Sequence, residues 1–186
     1  MQRIEAIKAL ADVRKGALSV AIMQSCAAWH DAEQADEFHV DAQACMGSAC
    51  AIGLGLALAQ PSRKVIVLDG DGGLLMQLGS LITVVAAAPA NFYHFVFDNG
   101  AHQSSGNQPV PAVGEFDWCQ LALSAGYRYA DGFSEVDELR SALPHLLASR
   151  GPVLVRLGID REDGPARWPK AKMADQIQAM KAALAR

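Results

Sequence analysis

Residues 65–84 read VIVLDGDGGLLMQLGSLITV. The first part is continuously apolar and β-branched, as a parallel strand covered on both faces must be. It runs into a turn of two aspartates and three glycines, and then into a mostly apolar helical stretch. A strand that needs cover above and below, and that feeds directly into a helix, restricts the chain to an α/β layer architecture. The rest of the sequence repeats the alternation. Residues 64–68, 92–97 (FYHFVF) and 152–157 read as buried strands, and 17–23, 37–40 and 127–130 as shorter ones.

Helices are predicted over Arg3–Val13, 26–35, 47–59, 74–88, 116–125, 134–149 and 173–186, from apolar spacing and caps. Ser134 is read as the N-cap of the sixth, with Asp137 at N3. Residues 47–59 (GSACAIGLGLALA) are small enough to let a helix lie close against a sheet, and Pro61 ends that helix. Residues 99–115 read as a long loop. The expected fold is α/β: an open, mostly parallel sheet with helices on both faces. One domain is expected over residues 1–160, followed by a C-terminal helical appendage over 161–186.

Composition removes several function classes. The chain has 186 residues, of which 51% are hydrophobic and 19% charged, enough for a sizeable core. A formal net charge of -4 argues against nucleic acid as the main partner, because phosphate binding needs a basic surface. The four cysteines form no CxxC pair, so reduced thiols in a cytoplasmic protein are expected. The first residues lack the apolar core of a signal peptide, and the richest apolar run, 47–59, is too short for a membrane span.

Chemistry is expected where the strands end, since open α/β sheets bind ligands beyond the carboxyl ends of their strands. One strand ends in LDGDGG and the next in FDNGAHQSSG. Asp71 and Asn99 are separated by one helix and one return strand, so both should reach the same sheet edge. Two hard oxygen ligands on neighbouring strand ends suit Mg²⁺ or Ca²⁺. Gly70, Gly72 and Gly73 would let the backbone and a helix N-terminus approach a diphosphate. The bland alternative is a tight turn with an aspartate capping the helix. The matching Asn99 at the next strand end weakens it.

The paired motif resembles the cofactor signature of thiamine diphosphate enzymes. Residues 46–84 followed by FDNGAHQSSGNQP are similar to the diphosphate-binding half of the sulfopyruvate and phosphonopyruvate decarboxylases, the former's beta subunit included. The resemblance implies Asp71 and Asn99 as side-chain Mg²⁺ ligands and the carbonyl of Ala101 as a third. It implies backbone amides near Gly72, Gly73, Gln103 and Ser104 around the diphosphate. Met46 would prop the cofactor in its bent form, and the carbonyl of Ala44 would accept a hydrogen bond from the aminopyrimidine. Ordinary core filling is the competing role for Met46. Two departures stand out. Gly73 replaces a serine common in the family, which removes a hydroxyl contact. His102 stands where an aromatic is common, either as a proton donor or substrate contact, or as a solvent-facing loop histidine.

The family's cofactor is activated by a buried glutamate from a separate pyrimidine-binding domain. Glu5, Glu33, Glu37, Glu115, Glu135, Glu138 and Glu162 all lie in polar contexts. None has the apolar strand-end setting such a glutamate needs. The expectation is one component of a two-component enzyme acting on a 2-oxoacid, hetero-oligomeric with that partner or homodimeric alone, and inert by itself. Two alternatives stay open. One is a subunit of a ferredoxin-linked 2-oxoacid oxidoreductase, although no cysteine cluster for iron–sulfur is present. The other is a non-catalytic phosphate- or nucleotide-binding module, although GxGxxG after Leu68 and GxxxxGK[ST] are both absent.

Overall fold

The computed structural model describes residues 1–33 and 35–186. The strands are β1 (Leu18–Ile22), β2 (His39–Ala42), β3 (Val65–Gly70), β4 (Phe92–Asp98), β5 (Ala101–His102), β6 (Gln108–Pro109), β7 (Tyr129–Phe133) and β8 (Val153–Gly158). The helices are α1 (Arg3–Val13), α2 (Gln24–Asp31), α3 (Ala49–Ala59), α4 (Asp71–Met76), α5 (Ser80–Ala87), α6 (Trp118–Ala125), α7 (Val136–Ala148) and α8 (Met173–Leu184). Six strands form one sheet in the order β2-β1-β3-β4-β8-β7, and β5 and β6 form a separate small hairpin. Every pairing in the large sheet is parallel.

Alternation along the strands divides the core into two layers. Ile66, Leu68, Phe95 and Phe97 face one side, where α1, α2 and α7 supply Leu10, Trp29 and Leu143. Val65, Val67, Phe92 and Val96 face the other, where α3, α5 and α6 supply Leu54, Val84 and Ala122. Helix α3 approaches closely because its facing residue has no side chain. A Cβ on Gly53 would lie 2.2 Å from Val67 Cγ2. Helix α8 adds Met180 to this second layer. It also covers the edge strand β2, where the Gln176 side chain accepts a hydrogen bond from the Asp41 amide (2.9 Å).

Three local expectations change. The helix predicted over 74–88 is two helices. The first begins at Asp71, because the glycines of the turn enter its first turn, and it ends at Met76. Gln77 leaves helical geometry (φ -135°, ψ 42°) and Gly79 follows, so the chain restarts at Ser80. Ser134 does not cap α7. Glu135 holds that position without a side-chain bond, while the Ser134 hydroxyl accepts from Arg156. The loop 99–115 contains the β5–β6 hairpin and a 3₁₀ turn over Gln103–Ser105. Residue 34, within the predicted second helix, lies outside the described residues. Among the described residues, no helix is long and apolar enough to cross a membrane.

Candidate cofactor site at the carboxyl edge of the sheet

The chain after β1 turns outward to β2, whereas the chain after β3 proceeds to β4 on the other side. The helices that follow, α2 and α4, therefore cover opposite faces. Their divergence opens a crevice at the carboxyl ends of β1 and β3, the switch point at which doubly wound sheets bind ligands. The crevice is lined by residues 22–25 after β1 and 70–73 after β3. The other walls include Met46, Asn99 and 101–105.

Asp71 is the most unusual group there. Its carboxylate is buried, accepting bonds from the Gly72 amide (2.7 Å) and the Gly100 amide (2.7 Å). Burial, helped by the nearby Asp98 carboxylate, pushes its pKa up to about 6 against the pull of those two amides. Among the described residues no ion pair involves Asp71. A buried carboxylate without a cation fits a divalent-ion ligand, which would supply the missing charge. The second bond also ties the β3 turn to the loop after β4. Asn99, one residue earlier, accepts from the Ala101 amide (3.0 Å) and donates to Gln103 Oε1 (3.1 Å).

Asp69, two residues from Asp71, does something different. It is fully buried and meets His94 Nε2 at 3.1 Å across the sheet. Burial disfavours the His94 cation, but Cys50 and Asp69 outweigh it and raise the His94 pKa to about 10. Thus one aspartate of the DGDGG turn anchors the strand, and the other is left facing the crevice.

His102 turns inward rather than outward. Its ring stacks over Gly72, where an added Cβ would lie 2.4 Å from His102 Nδ1. The His102 ring thus leaves no room for a side chain at position 72 as it stands. Gly72→Ala should destabilise the chain by about 1–3 kcal/mol through overpacking. The penalty should largely vanish in a His102→Ala background, which a double-mutant cycle in denaturant measures. Equal penalties in both backgrounds would place the ring elsewhere.

All the residues singled out from sequence line the crevice except Ala44, which lies in an exposed turn after β2. Sequence reasoning missed Arg3, Gln24 and Ser25. Arg3 is buried under α1, donating to Gln103 Oε1 (2.6 Å) and to Glu162 (3.1 Å). It brings a cation to the wall of the crevice that also holds the Asp71 carboxylate. Its only sequence signal was an arginine on the apolar side of a helix. Gln24 begins α2, contacts Ser104 Oγ at 3.4 Å and accepts from the Arg167 amide at 3.1 Å. Glu162 is drawn to this edge, where it pairs with Arg3 and accepts from Gln103 (3.0 Å).

Fold and crevice together define an open α/β domain with a crevice at its topological switch point. The family described as "Thiamine pyrophosphate enzyme, C-terminal TPP binding domain" matches residues 20–157, and the chain belongs to it. It is 45% identical over 139 residues to a phosphonopyruvate decarboxylase of Streptomyces viridochromogenes, covering 74% of this chain and 34% of that protein. It is 38% identical over 117 residues to the sulfopyruvate decarboxylase subunit beta of Methanothermobacter thermautotrophicus, covering 61% and 58% respectively. The match therefore spans about a third of the first relative and over half of the second. The fold also superimposes on a thiamine diphosphate-dependent 4-hydroxybenzoylformate decarboxylase of Rhodococcus jostii RHA1. There the TM-score is 0.74 at 16% identity, over 88% of this chain and 33% of that one.

Proposed function

We propose that this chain is the diphosphate- and Mg²⁺-binding component of a two-component thiamine diphosphate enzyme that decarboxylates a 2-oxoacid. The observation that carries this reading is Asp71: a buried carboxylate that, among the described residues, forms no ion pair, set among glycine amides at the switch point. The relatives named as phosphonopyruvate and sulfopyruvate decarboxylases support an anionic 2-oxoacid of that kind.

The residues divide the work as follows. Asp71, the Asn99 side chain and the Ala101 carbonyl would hold Mg²⁺. Amides of Gly72, Gly73, Gln103 and Ser104 would hold the diphosphate, with Gly70 leaving room for it. Met46 would support the bent cofactor from the crevice wall, and Ala44 would offer its carbonyl from the turn. When bound, the cofactor supplies the electron sink that decarboxylation of a 2-oxoacid requires. His102, over Gly72, sits where it can hold a proton near the diphosphate end or contact substrate. The activating glutamate would come from a separate pyrimidine-binding chain, as the relative named as a beta subunit suggests. The four cysteines, all free, fit a reducing cytoplasm.

The test is reconstitution. The purified chain, with Mg²⁺ and thiamine diphosphate, should release no carbon dioxide from sulfopyruvate or phosphonopyruvate. Adding the pyrimidine-binding chain from the same source should switch the reaction on. Turnover by the chain alone would overturn the two-component assignment. A silent mixture that nevertheless forms a complex and binds cofactor would overturn the substrate class.

A further inference from the structure

A second cluster of ligating side chains lies at the opposite border of the sheet from β7, where α2, β2 and α8 meet. His30 lies in the last turn of α2, and His39 and Asp41 share one face of β2. Each carboxylate oxygen of Asp41 faces one ring nitrogen. His39 Nε2 is 2.9 Å from Oδ1, and His30 Nε2 is 2.7 Å from Oδ2. The three ligand atoms lie within 4.8 Å of one another.

The surroundings hold these groups in place. His39 Nδ1 meets Ser19 Oγ at 2.8 Å, which fixes the ring with Nε2 aimed at Asp41. Trp29 stacks on the same ring at 5.4 Å between centroids. Gln176 of α8 donates to Asp41 Oδ2 at 2.7 Å. His39 and Asp41 are fully buried, while the His30 side chain is 31% exposed and leaves a way in. Ser19, His39 and Asp41 have the connectivity of a nucleophile, a base and an orienting acid. Ser19 is wholly buried, however, so no substrate could reach it.

We propose that His30, His39 and Asp41 form a divalent transition-metal site of the zinc type, separate from the crevice. Two imidazole nitrogens and one carboxylate are a donor set for zinc, whose bonds of about 2.0–2.2 Å place tetrahedral ligands about 3.3 Å apart. The two histidine–carboxylate distances, 2.9 and 2.7 Å, lie a few tenths of an ångström below that value, so the loaded site needs only small side-chain shifts. In the loaded site His39 donates Nδ1–H to Ser19 Oγ and presents its Nε2 lone pair. That hydroxyl behind a ligating histidine is the outer support such sites use. Gln176 serves Asp41 in the same way. Water completes the fourth position on the exposed side of His30. The ion would join α2 to the edge strand and, through Gln176, to α8.

The test uses the full chain, stripped with chelator and titrated with Zn²⁺ by calorimetry, with Co²⁺ as the spectroscopic probe. One Zn²⁺ per chain should bind, with visible Co²⁺ bands of a four- or five-coordinate nitrogen–oxygen site. His30→Ala should weaken binding at least tenfold and His39→Gln abolish it, while Asp71→Ala leaves it unchanged. Zn²⁺ should raise the melting temperature of the wild type and not of His30→Ala, which folds because the His30 side chain is partly exposed. No stoichiometric Zn²⁺ at micromolar concentration would overturn the proposal and leave a proton-bridged cluster. So would equal binding by His30→Ala, which would assign the ion elsewhere.

Discussion

Asp71→Ala should abolish Mg²⁺-dependent binding of thiamine diphosphate, with a loss of roughly 100-fold or more in affinity by calorimetry. The size follows from removing a charged ligand worth about 3 kcal/mol, where each 1.4 kcal/mol is tenfold. The fold should survive. The carboxylate contributes two backbone bonds, from Gly72 and Gly100, against a burial penalty that already raises its pKa to about 6. Asp71→Asn should keep the shape and lose most of the affinity, which separates charge from packing. The same carboxylate predicts a pH dependence. Cation binding needs the ionised form, present above about 6 and absent below it. Wild-type Mg²⁺ affinity should therefore hold at pH 7 and fall about tenfold per unit below 6. Equal cofactor binding by wild type and Asp71→Ala would refute the metal assignment.

Phe95→Ala should be the most damaging single truncation away from the site, destabilising by about 3–5 kcal/mol. Phe95 is completely buried at the middle of β4, between β3 and β8 and under the helices of the first core layer. Truncation leaves a ring-sized void that a parallel sheet held on both sides cannot collapse into. Phe95→Leu should lose much less. The midpoint of urea unfolding, with an unchanged slope, measures it. A loss under about 1 kcal/mol would mean that this layer is not close-packed.

The parts legible in sequence were those set by short-range chemistry. Continuous β-branched runs marked β3 and β4. The DGDGG turn marked a strand end, and the interval from Asp71 to Asn99 marked a second strand end beside it. The Gly100 amide bonded to Asp71 is the physical form of that interval. What stayed hidden depends on chain segments far apart. Arg3 meets Gln103 from a hundred residues away. Glu162 reads as a polar loop residue until the C-terminal segment folds back over the sheet edge. Helix limits at Asp71 and Met76 depended on whether the turn glycines would accept helical geometry, which composition leaves open.

Sequence by itself determined the layer architecture, the location of the crevice at strand ends and the residues of its glycine turn. These follow from periodicity and from backbone freedom, which act within a few residues. Only the tertiary structure decided which aspartate does what. Asp69 lies against His94 on the neighbouring strand and is neutralised there. Asp71 emerges where α2 and α4 diverge and, among the described residues, forms no ion pair. Two residues apart, they would share a face if the strand continued; they differ because β3 ends at Gly70 and Asp71 opens α4, and only the assembled sheet fixes what each one meets.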